Sequence, residues 1–269
     1  IDEIYAYWEE DRNGNIRFQT LEDHIRDSLE ALNNIRDTKI WRYYASFCQN
    51  AEKWMKLAIV FHDMGKVFYQ ENKKRNKKGR YLSFVGHEFI STYLVDGFLG
   101  IWLNKDLENR LEDYKNFRWL VYSSILYHHH AMGLRSRERL NEIKVCGNCE
   151  FDNIAKKASE IVRKYSMEFD VKPEEFFNLL KQLKLTKLVE GSDILLLDRN
   201  VISDIYRYVD ELNVVIWRKF AGEKDFRRRM ILATNMLIMA DYIGSKERGE
   251  EKTEFGRVVD ESVELYREI

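Results

Sequence analysis

At 269 residues the chain is long enough to bury a substantial core, and 45% hydrophobic with 13% aromatic residues excludes a disordered polypeptide. A formal net charge of −1 does not mark a bulk nucleic-acid binder, although 33% charged residues leave room for local patches. No apolar run approaches the roughly 18 residues of a membrane span, no basic-then-apolar signal pattern opens the chain, and three cysteines suit a reducing compartment; the expectation is a soluble, cytoplasmic protein with no membrane partner.

Residues 1–20 alternate loosely around Asp11-Arg12-Asn13-Gly14-Asn15, a turn signal between two short strands, and read as a hairpin. Beyond it the pattern is helical almost throughout. Thr20 is placed to cap a helix over Leu21–Leu32, with Asp23 at the third position and Leu21, Ile25, Leu29 and Leu32 as its apolar stripe. Further helices are expected at about 39–50, 52–64, 84–100, 115–131, 150–166, 174–190, 200–220 and 225–243, with an amphipathic helix from about 253. With one proline, no Gly- or Ser-rich linker and no fixed-period repeat, the chain reads as one all-α domain over 1–269 with a short N-terminal β-hairpin.

The segment Leu57–Lys66, LAIVFHDMGK, is an apolar helix whose last turn carries His62 and Asp63 side by side, with Gly65 as the expected stop. A His-Asp pair at a helix end can serve one metal centre, but alone it is more often a cap. The other histidines change that balance. The chain has six, and His24, His87 (in VGHEF) and the run His128-His129-His130 each begin or follow an apolar helical run, as does Asp241 in MLIMADYIGS. Imidazoles and carboxylates collected at helix ends suit one or two divalent ions better than a packed core. Consecutive helical residues fan out by about 100°, so three adjacent histidines cannot all face one centre; His128 with His129, or His129 with His130, fits equally well.

The ordered set His24, His62-Asp63, His87, His128-His129, Asp241, with Ala6-Tyr7-Trp8 ahead of the first histidine helix and Ala240-Asp241 before Gly244-Ser245, resembles the HD superfamily of metal-dependent phosphohydrolases. More narrowly it is similar to the stand-alone HD nuclease of type I CRISPR systems, and the likeness runs from Tyr5 to Ser245. The resemblance implies an HD-type helical bundle and a nuclease of single-stranded DNA, possible RNA activity included. It implies two divalent ions (Mg, Mn or another transition metal), a surveillance complex, and a separate helicase. It further implies that Asp63 bridges the ions, that His24, His62 and Asp241 complete one shell, and that His87, His128 and His129 hold the other. Mixed imidazole and carboxylate ligands themselves favour Mn, Fe, Co, Ni or Zn over Mg. The chain contains no phosphate-binding loop of the ATPase type, so unwinding would fall to a partner.

Around this set stand weaker signals. Lys66 is a candidate catalytic group that contacts the scissile phosphate or balances charge, or else a surface lysine past the helix stop. Glu88 and Asp27 are candidates for orienting an imidazole. Lys73, Lys74, Arg75, Lys77, Lys78 and Arg80 form a basic run directly after the HDMGK segment, read as a loop that tracks phosphates or is simply solvated. Arg135, Arg137 and Arg139 form a lesser cluster, Arg227–Arg229 decorate a helix start, and Cys146-Gly147-Asn148-Cys149 reads as a small turn, since a lone pair of cysteines lacks the second pair that structural zinc needs. Two other classes compete: an HD phosphohydrolase of nucleotides or cyclic nucleotides, with a closed base-reading pocket, and a non-enzymatic scaffold with a vestigial metal site.

Overall fold

The computed structural model describes residues 3–129, 144–145, 148–183, 185–187, 195–245 and 261. Two strands, β1 (Tyr5–Asp11) and β2 (Ile16–Thr20), form the expected hairpin. Thr20 then caps α1 (Leu21–Arg36): its hydroxyl accepts from the Asp23 N–H at 3.1 Å and donates to the Asp23 carboxylate at 2.6 Å, satisfying one orphan donor of the first turn. The helix runs one turn past the expected end because Ile35 continues the buried stripe.

Next come α2 (Lys39–Phe47) and α3 (Ala51–His62). On α3 Trp54, Met55 and every residue from Leu57 to His62 are buried, so its C-terminal half is enclosed on all sides and forms the central rod of the bundle. Burial of each of its large side chains contributes about 1.5–3 kcal/mol. Trp54 stacks on Phe117 at 5.3 Å between ring centroids, and Phe61 meets Phe98 at 5.0 Å. Around this rod lie α4 (His87–Asn104), α5 (Leu107–Tyr127), α6 (Asn148–Tyr165), α7 (Pro173–Lys181), α8 (Arg199–Gly222) and α9 (Lys224–Gly244). Among the described residues, no helix is long and apolar enough to cross a membrane.

Several boundaries differ from the sequence expectation, and the all-α reading is too simple. The basic run is a second hairpin, β3 (Lys73–Arg75) and β4 (Gly79–Leu82), and β4 pairs with β1, giving a four-stranded antiparallel sheet in the order β2-β1-β4-β3. Its strands are cation-rich and carry no clean apolar alternation, so periodicity does not reveal them. The helix expected over 174–190 stops at Lys181, and Leu185–Lys187 becomes β6 of a small sheet with β5 (Lys144–Val145) and β7 (Leu195–Leu197). The start of α5 lies earlier than expected because Asp106 caps it, accepting from the Asn109 N–H at 3.4 Å. Asn148 opens α6 rather than sitting in a turn; Cys146 and Gly147 lie outside the described residues, as do His130, Arg135, Arg137, Arg139 and most of the expected C-terminal helix. Arg227–Arg229 lie in the first turns of α9.

Candidate metal centre

Each expected ligand sits at a helix end, and those ends converge. His24 lies in the first turns of α1, His62 closes α3, Asp63 is its C-terminal cap, His87 opens α4, His128 caps α5, His129 follows it, and Asp241 lies in the last turn of α9. These residues form two groups that share Asp63: His24, His62, Asp63 and Asp241, and Asp63, His87, His128 and His129. Two neighbouring histidines reach one group just past the helix end at Tyr127; their rings lie 3.9 Å apart.

In the first group His24 Nε2 lies 3.1 Å from His62 Nε2, 3.2 Å from Asp63 Oδ2 and 3.1 Å from Asp241 Oδ1. In the second, His87 Nε2 lies 2.9 Å from Asp63 Oδ1 and 3.3 Å from His129 Nε2, while His128 Nε2 is 4.0 Å from Asp63 Oδ1. Donor atoms on a common ion at about 2.0–2.2 Å stand roughly 2.8–3.6 Å apart for octahedral or tetrahedral angles, so most of these spacings fit. Asp63 offers a different oxygen to each group.

The imidazoles are oriented by backbone, not by the acids expected for that role. Nδ1 of His62, His87 and His128 bonds the carbonyl three residues earlier: Ile59 at 2.6 Å, Phe84 at 2.6 Å and Ile125 at 2.5 Å. A carbonyl only accepts, so each of these rings carries a proton on Nδ1 and turns Nε2 toward the centre, where a neutral ring presents a lone pair. The Nε2 atoms of His24 and His62, 3.1 Å apart, repel if both present lone pairs, and a proton or cation between them relieves that repulsion. Asp27 instead pairs with Arg26 and accepts from Gln19, and Glu88 reaches His87 Nδ1 only at 3.5 Å.

Electrostatics separate the groups. Burial alone would raise the Asp63 carboxyl, but the Lys66 ammonium, His62 and the close imidazoles of His24 and His87 hold it well below the usual carboxylate range. Burial likewise works against the charge on Asp241, which bonds to His24 and His62 nevertheless keep well below that range. Desolvation opposes protonation of His62, yet Asp63 and Asp241 raise its pKa above the ordinary imidazole value. His128 is pushed down to about 3 by burial and by His62, and His129 well below its ordinary value by burial and by His128. The buried His128 Nε2 has no hydrogen-bond partner, a lone pair aimed at the centre with nothing to receive it. An orphaned nitrogen of this kind, on a ring held neutral, suits a divalent ion.

Lys66 is not on the surface. It is buried in the 3-10 segment Met64–Tyr69, with Nζ 2.6 Å from Asp63 Oδ2 and 3.1 Å from the Ala6 carbonyl of β1. Gly65 is no left-handed helix stop either. A Cβ there would meet the His87 carbonyl oxygen at 2.2 Å, so the missing side chain lets α4 deliver His87 to the centre. Gly244 plays the same part across the molecule, where a Cβ would meet Ser28 Oγ at 2.3 Å and Ser28 N at 2.7 Å and drive α9 from α1. Gln19, buried at the end of β2, holds that crossing through a 2.7 Å bond to the Gly244 carbonyl. Sequence reasoning missed Gln19, Ser28 and the three carbonyls; a Gly three residues after Asp241 was the only available signal for the crossing. The basic residues Lys73, Lys74, Arg75, Lys77 and Lys78 are exposed on the β3–β4 hairpin and touch no ligand group.

Comparison of the chain with protein-family models, with curated proteins and with solved structures finds no match.

Proposed function

We propose that the protein is a metal-dependent phosphodiesterase of the HD type, a nuclease acting on single-stranded nucleic acid, DNA first, within a CRISPR interference system and beside a separate helicase. The observation that carries this reading is the shared carboxylate: Asp63 turns one oxygen to each of two imidazole-rich groups. His24, His62 and Asp241 would hold one ion, and His87, His128 and His129 the other. Two divalent ions held close together supply Lewis acidity and charge neutralisation to phosphodiester hydrolysis.

The chain's own residues prepare that chemistry. Backbone carbonyls lock His62, His87 and His128 with Nε2 inward. Lys66 keeps Asp63 ionised and places a fixed cation beside the shared carboxylate, where it can offset charge developing on a phosphate. The exposed cations of the β3–β4 hairpin supply sequence-independent contacts for a polyanion, and the nuclease is favoured over a nucleotide phosphohydrolase for this reason.

The test is metal-stripped protein given Mg, Mn, Co, Ni or Zn in turn, with labelled single- and double-stranded oligonucleotides, nucleotides and cyclic nucleotides as substrates. Metal-dependent cleavage of the single strands, lost in Asp63→Ala, is the expected result. Turnover confined to nucleotides would move the protein to the phosphohydrolase class, and no turnover with any ion would leave a scaffold.

A further inference from the structure

Strand register places a set of aromatic and basic side chains on one face of the N-terminal sheet. Trp8 stands directly opposite Phe18, and Glu10 opposite both Ile16 and Arg80. On the next strand Arg75 opposes Arg80, and Lys73 opposes Leu82. Side chains alternate faces along a strand and directly opposed residues share one, so Trp8, Glu10, Ile16, Phe18, Lys73, Arg75, Arg80 and Leu82 lie together, with Leu82 the buried member of the set. The contacts agree: Lys73 Nζ sits 5.5 Å from the Trp8 ring centroid, and the Tyr5 ring meets Phe18 edge-on at 5.5 Å.

This face is open. Phe18 is 53% exposed and Ile16 55%, and Lys73, Arg75 and Arg80 are exposed beside them. Its single acid, Glu10, is engaged by Arg80 at 2.5 Å, so the face as a whole is cationic. Phe18 stands half-exposed on the edge strand next to Trp8, with the cations of β3 and β4 beyond, and it is not needed to close the core under α1, which Leu21 and Ile25 fill.

We infer that this sheet face is a stacking platform for unpaired bases, with Trp8 and Phe18 as the rings and Lys73, Arg75 and Arg80 as the phosphate contacts, a proposal that rests on the single-strand nuclease reading above. Stacking on aromatic side chains flanked by cations is how sequence-tolerant single-strand binders hold their ligand. A duplex keeps its base faces buried and offers the rings nothing, so the platform discriminates single from double strands. It also joins the metal centre through β1: Gln70 receives the Tyr5 N–H at 2.8 Å and donates to the Tyr5 carbonyl at 3.1 Å, and Lys66 bonds the Ala6 carbonyl. Trp8 therefore lies two residues, roughly 7 Å of strand, from the backbone that the Asp63-bound lysine grips.

The experiment measures anisotropy of a fluorescein-labelled oligothymidylate of about 15 nucleotides without divalent ions, so that binding is separated from hydrolysis. Phe18→Ala is expected to weaken binding roughly 5- to 150-fold with an unchanged salt slope, and Phe18→Trp to retain it. Arg75→Ala is expected to lower the salt slope by about 0.7 on a log–log plot. A duplex of the same length should respond to Arg75→Ala and not to Phe18→Ala. Circular dichroism and thermal melts of the exposed-site variants establish that they fold. Equal affinity of wild type and Phe18→Ala for the oligothymidylate overturns the platform, including the case in which the same variant loses a protein partner instead. Hydrolysis of bis(p-nitrophenyl) phosphate by the metal-loaded wild type judges the phosphodiesterase reading separately, since neither result depends on the other.

Discussion

The group around His24 and the group around His87 use the same residue types, yet the fold holds them differently. In the first, two imidazoles face two carboxylates, every member is buried, and the helices that carry His24 and Asp241 are pressed together where Gly244 meets Ser28. In the second, three imidazoles share one oxygen of Asp63, and His129 hangs past the end of α5, partly exposed. The consequence is opposite charge behaviour: His62 is driven toward its protonated form and His128 away from it. The first group is balanced by its own residues and closed, whereas the second has a single carboxylate oxygen for three imidazoles and leaves the His128 Nε2 lone pair without a partner. The ion of the second group should therefore be the first to leave under a chelator.

Removing what the groups share should have the largest effect. Asp63→Ala is expected to abolish hydrolysis and take bound metal from two ions per chain toward none, read by elemental analysis. It also removes the carboxylate that pairs with buried Lys66, a change that costs about 3–5 kcal/mol in comparable buried pairs and should show as a lower Tm.

Next in size are changes that empty one group. Asp241→Asn should lower the stoichiometry from two to one by loss from the first group, and His129→Ala should do so from the second. If the comparison holds, residual metal in His129→Ala resists a chelator longer than residual metal in Asp241→Asn. Equal retention would erase the distinction between the groups.

The two close-approach glycines divide the groups again. Gly244→Ala thrusts a methyl at Ser28 and should loosen the first ion, while Gly65→Ala thrusts one at the His87 carbonyl and should loosen the second. Each should cost about 1–3 kcal/mol as overpacking, measured by denaturant unfolding beside metal titration. Gly244→Ala with unaltered metal affinity would show that the α1–α9 crossing does not set the first group's spacing.

Much of this was legible in the sequence because the ligands lie at helix ends, where an apolar stripe stops and a His or Asp follows; the partition of His24, His62 and Asp241 from His87, His128 and His129 came from the family resemblance, not from spacing. What failed did so for physical reasons. Lys73–Leu82 reads as a solvated loop because its strand-forming backbone bonds leave no trace in a cation-rich composition, and its pairing with Glu9–Asp11 is a contact between segments about seventy residues apart. Gly65 reads as a helix stop because sequence cannot show the α4 backbone arriving beside it. Lys66 reads as exposed because one of its partners, the Ala6 carbonyl, comes from β1, 60 residues earlier in the chain.

A further effect concerns pH. His128 has a folded-state pKa of about 3 against an ordinary 6.5, so between those values the unfolded chain binds the extra proton and the metal-free fold loses stability as pH falls. The loss is at most about 1.4 kcal/mol per pH unit for that one group. His128→Gln should flatten the stability-versus-pH curve over this window in urea melts, and an unchanged slope would place the acid sensitivity elsewhere.

The most direct measurement is a crystal structure of the Mn-loaded protein with anomalous data. The account predicts two peaks about 3.5–4 Å apart, one on each side of the Asp63 carboxylate, with His24, His62 and Asp241 on one ion and His87, His128 and His129 on the other. A single peak, an Asp63 that touches neither ion, or His130 in place of His128 would contradict it.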